Sequence, residues 1–522
     1  MSASREKKQR QGAGPSEKAL QTRQQQAARK RKTVTYTAIG AVIAVLVAAL
    51  LIWNSGFFQA RATAATVGGK NLTVAELSYY YYDARMYTAQ LAAYGLNTFN
   101  TSLADDEQFY NASEGQTYRD YFMEQALKSA QRDIVLADEA KKNGRTEAEI
   151  KDNLNAQIQS VKASAATYGY SYSSYLKAMY GSYMSTGVYE KLCTQELLAN
   201  LVYNDKSTEL YNSYSEDDLR AYYGEEDHAD SLDTFEYSYL YFTPAAVEEK
   251  DADGNARDED TVKEEKEAAL AEAKANAEDA LKAVKGNGDI SAQADKYELS
   301  GSNFIDHVSA TGVTSAPSAL QDKLLSMKDG DAELVENNDS GCYVLVLHSR
   351  KLVEDPTKDV RHILALAETT TDGEGNTVAP TDEAWAAARE RIEAIQAEYE
   401  AGDKTEDAFA ALANEKSDDG DGTTGGLYPR INVNSNYVPE FLEWIFADGR
   451  KAGDTGIVQH DAGDATNGYW GYHFMYLVGD NEPAWMDSAR SALATSDRNV
   501  WLEELRDNYK TALTDASNNI GR

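Results

Sequence analysis

Val360-Arg361-His362-Ile363-Leu364 opens the stretch that decides the fold, a short apolar-leaning strand signal with a histidine set into it. A helical run follows from Asp382 to Glu400, broken at Gly402-Asp403, and then come Phe409-Ala410-Ala411-Leu412-Ala413 and Lys416-Ser417-Asp418-Asp419. Beyond them stand Gly425-Gly426-Leu427, Val438-Pro439-Glu440-Phe441 and Gly453-Asp454-Thr455-Gly456. The stretch closes with a second histidine in an apolar strand pattern, Gly471-Tyr472-His473-Phe474-Met475-Tyr476-Leu477, before Trp485. Strand and helix signals thus succeed one another along the stretch.

In that order and spacing the segments resemble a parvulin peptidyl-prolyl cis/trans isomerase domain over residues 357–482. The resemblance implies a site. His362 and His473 match the family's paired histidines, which hydrogen-bond to each other on neighbouring strands. Asp419 falls where the family carries an Asp or Cys facing the substrate carbonyl. Tyr437 and Phe441 match the apolar residues that cup the proline ring, and Leu427 is expected to join them. The reaction rotates an X-Pro amide across a barrier of about 18–20 kcal/mol that amide resonance creates. No covalent bond is made, so neither nucleophile, metal nor cofactor is expected; an apolar grip and a polar surround matched to a twisted amide suffice.

The sequence departs from the family pattern in two places. The common Gly-Gly-Asp-Leu-Gly is here Gly425-Gly426-Leu427-Tyr428-Pro429, and Gly468 stands at the spacing where a Thr usually precedes the second histidine, with Thr466 a candidate substitute. Phosphate-directed members use a basic cluster near the first strand. Here His362 to Ala388 contain no Lys or Arg, which argues against a phosphorylated substrate and favours neutral or basic unfolded segments.

Working outward, charge divides the chain sharply. Residues 1–32 hold ten Lys/Arg against two Glu, whereas the remainder holds 41 basic against 83 acidic residues. So acidic a body lacks the clustered cations that nucleic acid requires. The first 32 residues have no apolar periodicity and read as a disordered tail. Val34 to Trp53 then carry no charge over 20 residues, enough to cross a bilayer once, and we assign 33–54 as a transmembrane helix. Cations before it and acidic sequence after it predict a cytoplasmic N-terminus with the bulk outside, a single-pass type II protein of a bacterial cell membrane. A cleaved signal peptide is the rival reading, and the length of the apolar run favours the uncleaved anchor.

Between 64 and 231 the pattern is helical, opening with a capping box at Thr73-Val74-Ala75-Glu76 and ending near Ser215-Glu216-Asp217-Asp218. This region resembles the helical chaperone part of foldases of the SurA and PrsA type, which implies unfolded exported polypeptides as partners. An internal repeat follows. Residues 232–352 reproduce the strand, polar insert, Ala/Glu-rich helix and closing strand of 357–482, with Ser238 and Tyr343 expected at the two histidine positions. That first copy should be inactive. Its acidic turn from Asp251 fails as a calcium loop, having Ala256 at the sixth position and Val262 at the twelfth. Cys193 and Cys342 offer no disulfide framework or metal spacing. The last segment, 483–522, carries one amphipathic helix, which by analogy with those foldases returns to the chaperone region. The expected class is thus α+β: anchor, helical domain, two parvulin-like domains of small antiparallel sheet with surrounding helices, and a C-terminal helix.

Overall fold

The computed structural model describes residues 30, 36–47, 56–225, 227–286, 289–372, 376–420, 422–463 and 468–521. It is an α+β chain whose sheets are small and antiparallel. Of the expected membrane span, residues 36–47 are helical and exposed, and the rest of it lies outside the described residues. No helix among the described residues is long and apolar enough to cross a membrane. The chain forms two compact units, Met1–Leu210 with Ser496–Arg522, and Tyr211–Thr495.

The first unit begins on a hairpin, Thr63–Val67 and Lys70–Thr73, turned by Gly68 and Gly69 at positive φ. The Tyr509 ring lies against Gly68, where a Cβ would come within 2.5 Å of it, so only glycine fits there. Thr73 caps the helix Val74–Ala93 through the capping box with Glu76. The tyrosine run is core: Tyr79, Tyr80 and Tyr81 are buried, with Tyr81 edge-on to Phe122 of the helix Tyr118–Lys142 and Tyr79 against Tyr180. The C-terminal residues return to this unit. Leu502 packs with Leu136 and Leu198, and a short strand, Thr511–Leu513, extends the hairpin by pairing with Thr63–Val67. Burial of an apolar helix face, rather than helix propensity, holds such an arrangement.

The second unit contains the repeat. The first copy runs strand Thr234–Phe242, helices Glu259–Lys285 and Ile290–Lys296, strand Phe304–Gly312, helix Ser318–Ser326, and strands Ala332–Glu336 and Cys342–Lys351. The second runs strand Pro356–Leu366, helices Asp382–Ala401 and Glu406–Lys416, strand Leu427–Ile431, helix Pro439–Ile445, and strands Thr455–Asp461 and Trp470–Pro483. In both four-stranded sheets the first and last strands lie side by side at the centre, with the second and third at the edges.

Register corrects one expectation. In the second copy His473 pairs with Leu364 and His362 with Met475; in the first, Tyr343 pairs with Tyr241 and Leu345 with Tyr239. Side chains alternate along a strand, so Tyr239 and Tyr343 share the face toward Leu320 and Leu324, as the histidines share the face toward Phe441. Ser238 lies on the opposite face: it pairs with Val346, and its neighbour two residues on, Leu240, packs against Ala273 and Ala277 of the long helix. Tyr239, not Ser238, therefore occupies the position of His362, while Tyr343 occupies that of His473.

A second correction concerns boundaries. Residues 211–231 and 483–495 belong to the second unit rather than to the helical and C-terminal segments expected at 64–231 and 483–522. Leu219 and Leu232 bury themselves with Trp485, Met486 and Ala489, which removes those segments from water together. Both cysteines are buried and free. Asp251 spends its carboxylate on the amides of Asp253 and Asn255, an ordinary acidic turn.

Candidate active site

Alternation on two central strands builds the site. Ile363 and Ala365 face the helix Asp382–Ala401 and join Ile392 and Phe474 in one core. His362 and Leu364 consequently face the other way, and so do His473 and Met475 on the neighbouring strand. The histidines are 4% and 3% exposed, and diagonal neighbours of this kind fall within reach of large side chains. Their Nδ1 atoms lie 3.0 Å apart.

Asp419 completes the centre, with Oδ2 2.8 Å from Nε2 of His362. Its placement depends on the residues before it. Ser417 Oγ accepts the amides of Leu364 and Asp419, and Asp418 is drawn away by Arg391 and by the amide of Leu366. Neighbouring carboxylates thus part, Asp418 to the arginine and Asp419 to the histidine. On its other side the same Asp419 oxygen accepts the hydroxyl of Tyr428 at 2.6 Å.

The cup closes over this polar floor. Pro439 at the helix start fixes the short helix Pro439–Ile445, which buries Phe441 and Ile445. Phe441 meets both imidazoles edge-on, with centroids 5.4 Å and 5.6 Å away, and stacks with Tyr437 at 5.3 Å. Tyr437 stays 38% exposed, at the mouth. Leu364, Leu366, Asp418, Tyr428, Val438 and Tyr469 complete the wall of a cavity of 380 Å³ that also contains His362, Asp419, Tyr437, Phe441 and His473.

Five of the six expected residues are therefore brought together, and one is not. Leu427 does not line the cavity. It pairs with Arg361 at the sheet edge, and strand alternation presents Tyr428 to the site instead. The Gly425-Gly426 turn sets this register: Gly426 has φ 65°, and a Cβ there would sit 2.2 Å from the carbonyl oxygen of His362. Tyr469 was also missed. Its hydroxyl lies 3.1 Å from Nε2 of His473, whereas Thr466, the expected substitute, lies outside the described residues. The parity of the strand after Gly426 would have pointed to Tyr428; the signal for Tyr469 is only its nearness to His473.

Burial, with His362 and His460 nearby, pushes His473 down to about 3. Asp419 is held well below the carboxylate range by its hydrogen bond to His362, joined by that of Tyr428, against the effect of burial. Burial raises both phenols, helped by the Asp419 charge; Tyr469 reaches about 12. At neutral pH the centre thus holds an ionised carboxylate, an uncharged His473 and two phenols that keep their protons.

Residues 362–475 match the family model of the rotamase, the PPIC-type PPIase domain. This stretch is a parvulin-type peptidyl-prolyl isomerase domain. Among solved structures the chain is similar to the peptidylprolyl isomerase PrsA from Bacillus anthracis, at 12% identity over 43% of this chain and 78% of that one, with a TM-score of 0.19. The same protein from Bacillus cereus gives 16% identity over 46% and 74%, with a TM-score of 0.23. At such scores the likeness carries no weight beside the family match. No curated protein matches the chain.

For an isomerase of this type the geometry gives each group a task. The aromatic wall of Tyr437, Phe441 and Tyr428 can bury a proline ring, and its quadrupoles suit ring C–H edges. The carboxylate and the imidazoles beneath face the rotating amide with fixed dipoles, which need no reorganisation as the carbonyl loses conjugation. Rotation about the amide makes no new bond, so none of them needs to attack the carbonyl.

Proposed function

We propose that the chain is a membrane-anchored, extracytoplasmic foldase that isomerises X-Pro bonds in exported, unfolded polypeptides. The observation that carries the catalytic half is the Asp419–His362–His473 arrangement under an aromatic cup, in a domain of the parvulin type. The anchored half rests on sequence: ten cations precede an uncharged run of 20 residues, and acidic sequence follows. Clients would be held by the helical unit, which leaves Tyr87, Tyr94, Leu96 and Phe109 exposed for apolar contact.

A second reading has its own observation. The first copy keeps the fold but carries Tyr239 and Tyr343 in place of the histidines, so the chain already uses this sheet without the chemistry. On that reading the protein is a holdase or an envelope assembly factor whose parvulin folds only bind peptide.

One experiment separates them. The full chain, produced in membranes, is tested for alkaline extraction and for protease access from each side. The solubilised protein is then added to an unfolded client whose refolding is limited by proline. The foldase reading expects an unextracted protein with its C-terminal bulk on the outer face, and a faster slow phase of refolding. Suppressed aggregation with an unchanged slow phase would support the holdase, and release by alkali would remove the anchor.

A further inference from the structure

Two phenols close the hydrogen-bonded chain at the centre of the site, one at each end. Tyr428 stands where the parvulin pattern has an aliphatic residue, and Tyr469 stands next to the position of the usual threonine. The inference rests on the isomerase assignment and deepens it.

With both imidazoles uncharged, the donors in this chain have one consistent order. His362 Nε2 lies against the Asp419 carboxylate at 2.8 Å, and a carboxylate can only accept, so that nitrogen carries hydrogen. In a neutral His362, Nδ1 is then an acceptor. His473 must donate to it from its own Nδ1, at 3.0 Å, which leaves His473 Nε2 bare. The group facing that nitrogen is the Tyr469 hydroxyl at 3.1 Å. Hydrogen bonds therefore run from Tyr469 to His473, from His473 to His362 and from His362 to Asp419, with Tyr428 donating to Asp419 from the far side at 2.6 Å.

We propose that Tyr428 and Tyr469 are positioning residues for the isomerisation: by holding the chain at its two ends they fix the hydrogen of each imidazole and the orientation of the carboxylate.

Among the described residues, the other polar groups nearby are engaged elsewhere. Asp418 is committed to Arg391, and His460, whose ring lies 4.6 Å from that of Tyr469, faces Glu440. If Tyr469 did not donate, His473 Nε2 would be bare and the Nδ1–H form of His473 would lose the bond that favours it, so more of His473 would carry its hydrogen on Nε2. Its Nδ1 would then face the Nδ1 acceptor of His362. That clash is relieved only if His362 also turns its hydrogen inward, which exposes the Asp419 carboxylate to an unprotonated nitrogen. Loss of either hydroxyl is thus felt at the opposite end of the chain. Because both rings also line the cavity, phenylalanine in their place keeps the cup and removes only the donor.

The test uses the full 522-residue chain with Tyr428→Phe, Tyr469→Phe and the double variant. Isomerisation of a short unphosphorylated Ala-Pro peptide is measured beside two spectroscopic readouts. Nitrogen-15 spectra of labelled histidines report the His473 tautomer, and carbon-13 titration, assigned by its loss in Asp419→Asn, follows the Asp419 carboxyl. Each single variant should lose about tenfold in kcat with KM nearly unchanged, the size of one hydrogen bond to a charged or relayed group. Tyr469→Phe should increase the share of His473 that carries its hydrogen on Nε2. Tyr428→Phe should raise the Asp419 midpoint by about one pH unit. The double variant should lose less than the product of the singles, because both act on one chain. Wild-type kcat in either variant would overturn the proposal for that residue. Lost activity with tautomer and titration unmoved would overturn it too, reducing the phenols to packing. Were the wild-type chain itself inactive, the isomerase assignment would fail, and the spectra would still decide whether the hydroxyls hold the chain.

Discussion

Two buried imidazoles with their Nδ1 atoms 3.0 Å apart can share one hydrogen but resist carrying two charges. His473 is accordingly pushed to about 3, mainly by burial, and this has a sign. Below the ordinary histidine value of about 6.5 the unfolded chain takes up a proton that folded His473 refuses, so stability is complete above that pH and falls as the pH drops toward 3. About 2 kcal/mol should go between pH 6.5 and 5, read by urea unfolding, and His473→Asn should flatten the slope. Asp419 adds a loss in the same direction only at more acid pH, since its carboxyl is held below the usual range. At this scale much was legible. Two of the six histidines stand at both family positions, and Asp419 could be named although Asp418 adjoins it. What the sequence could not show was why Asp419, and not Asp418, turns inward. That choice is made by Arg391, 27 residues upstream and on another element.

Elements decide which residues a strand presents. Leu427 and Ser238 were each misplaced by one residue, and for one reason: a strand's side-chain period is two, so an error of one reverses the face. The register of Leu427–Ile431 depends on Gly426, whose positive φ and approach to the His362 carbonyl no other residue can match. Gly426→Ala should therefore cost about 2–3 kcal/mol through the strained φ and the clash. It should also reduce isomerisation more than its stability loss explains, because the strand carrying His362 must shift; kinetics well below the unfolding transition check this. The repeat, by contrast, was legible as a repeat. Polar insert, Ala/Glu helix and closing strand recur in order, and they fold into sheets of the same strand order.

At the scale of the molecule the chain's return to its own beginning was legible only by analogy. Three residues, Thr511–Leu513, add a strand to the opening hairpin, too short a segment to announce itself in a sequence. Ile520, 1% exposed, anchors the end that follows. Truncation after Arg506 should lower the melting of the unit formed by Met1–Leu210 and Ser496–Arg522 by about 5–10 °C, from lost apolar burial. Melting of the isomerase domain should stay in place, as followed by calorimetry. One centre, in the second of two like-folded domains, is expected to supply this chain's isomerase activity. The direct measurement is isomerisation of a short Ala-Pro peptide by the full chain beside His362→Ala and His473→Ala, with folding checked by circular dichroism. An active wild type and a loss of at least about tenfold in each folded variant are expected. Activity retained in both would place the catalysis elsewhere and contradict that expectation.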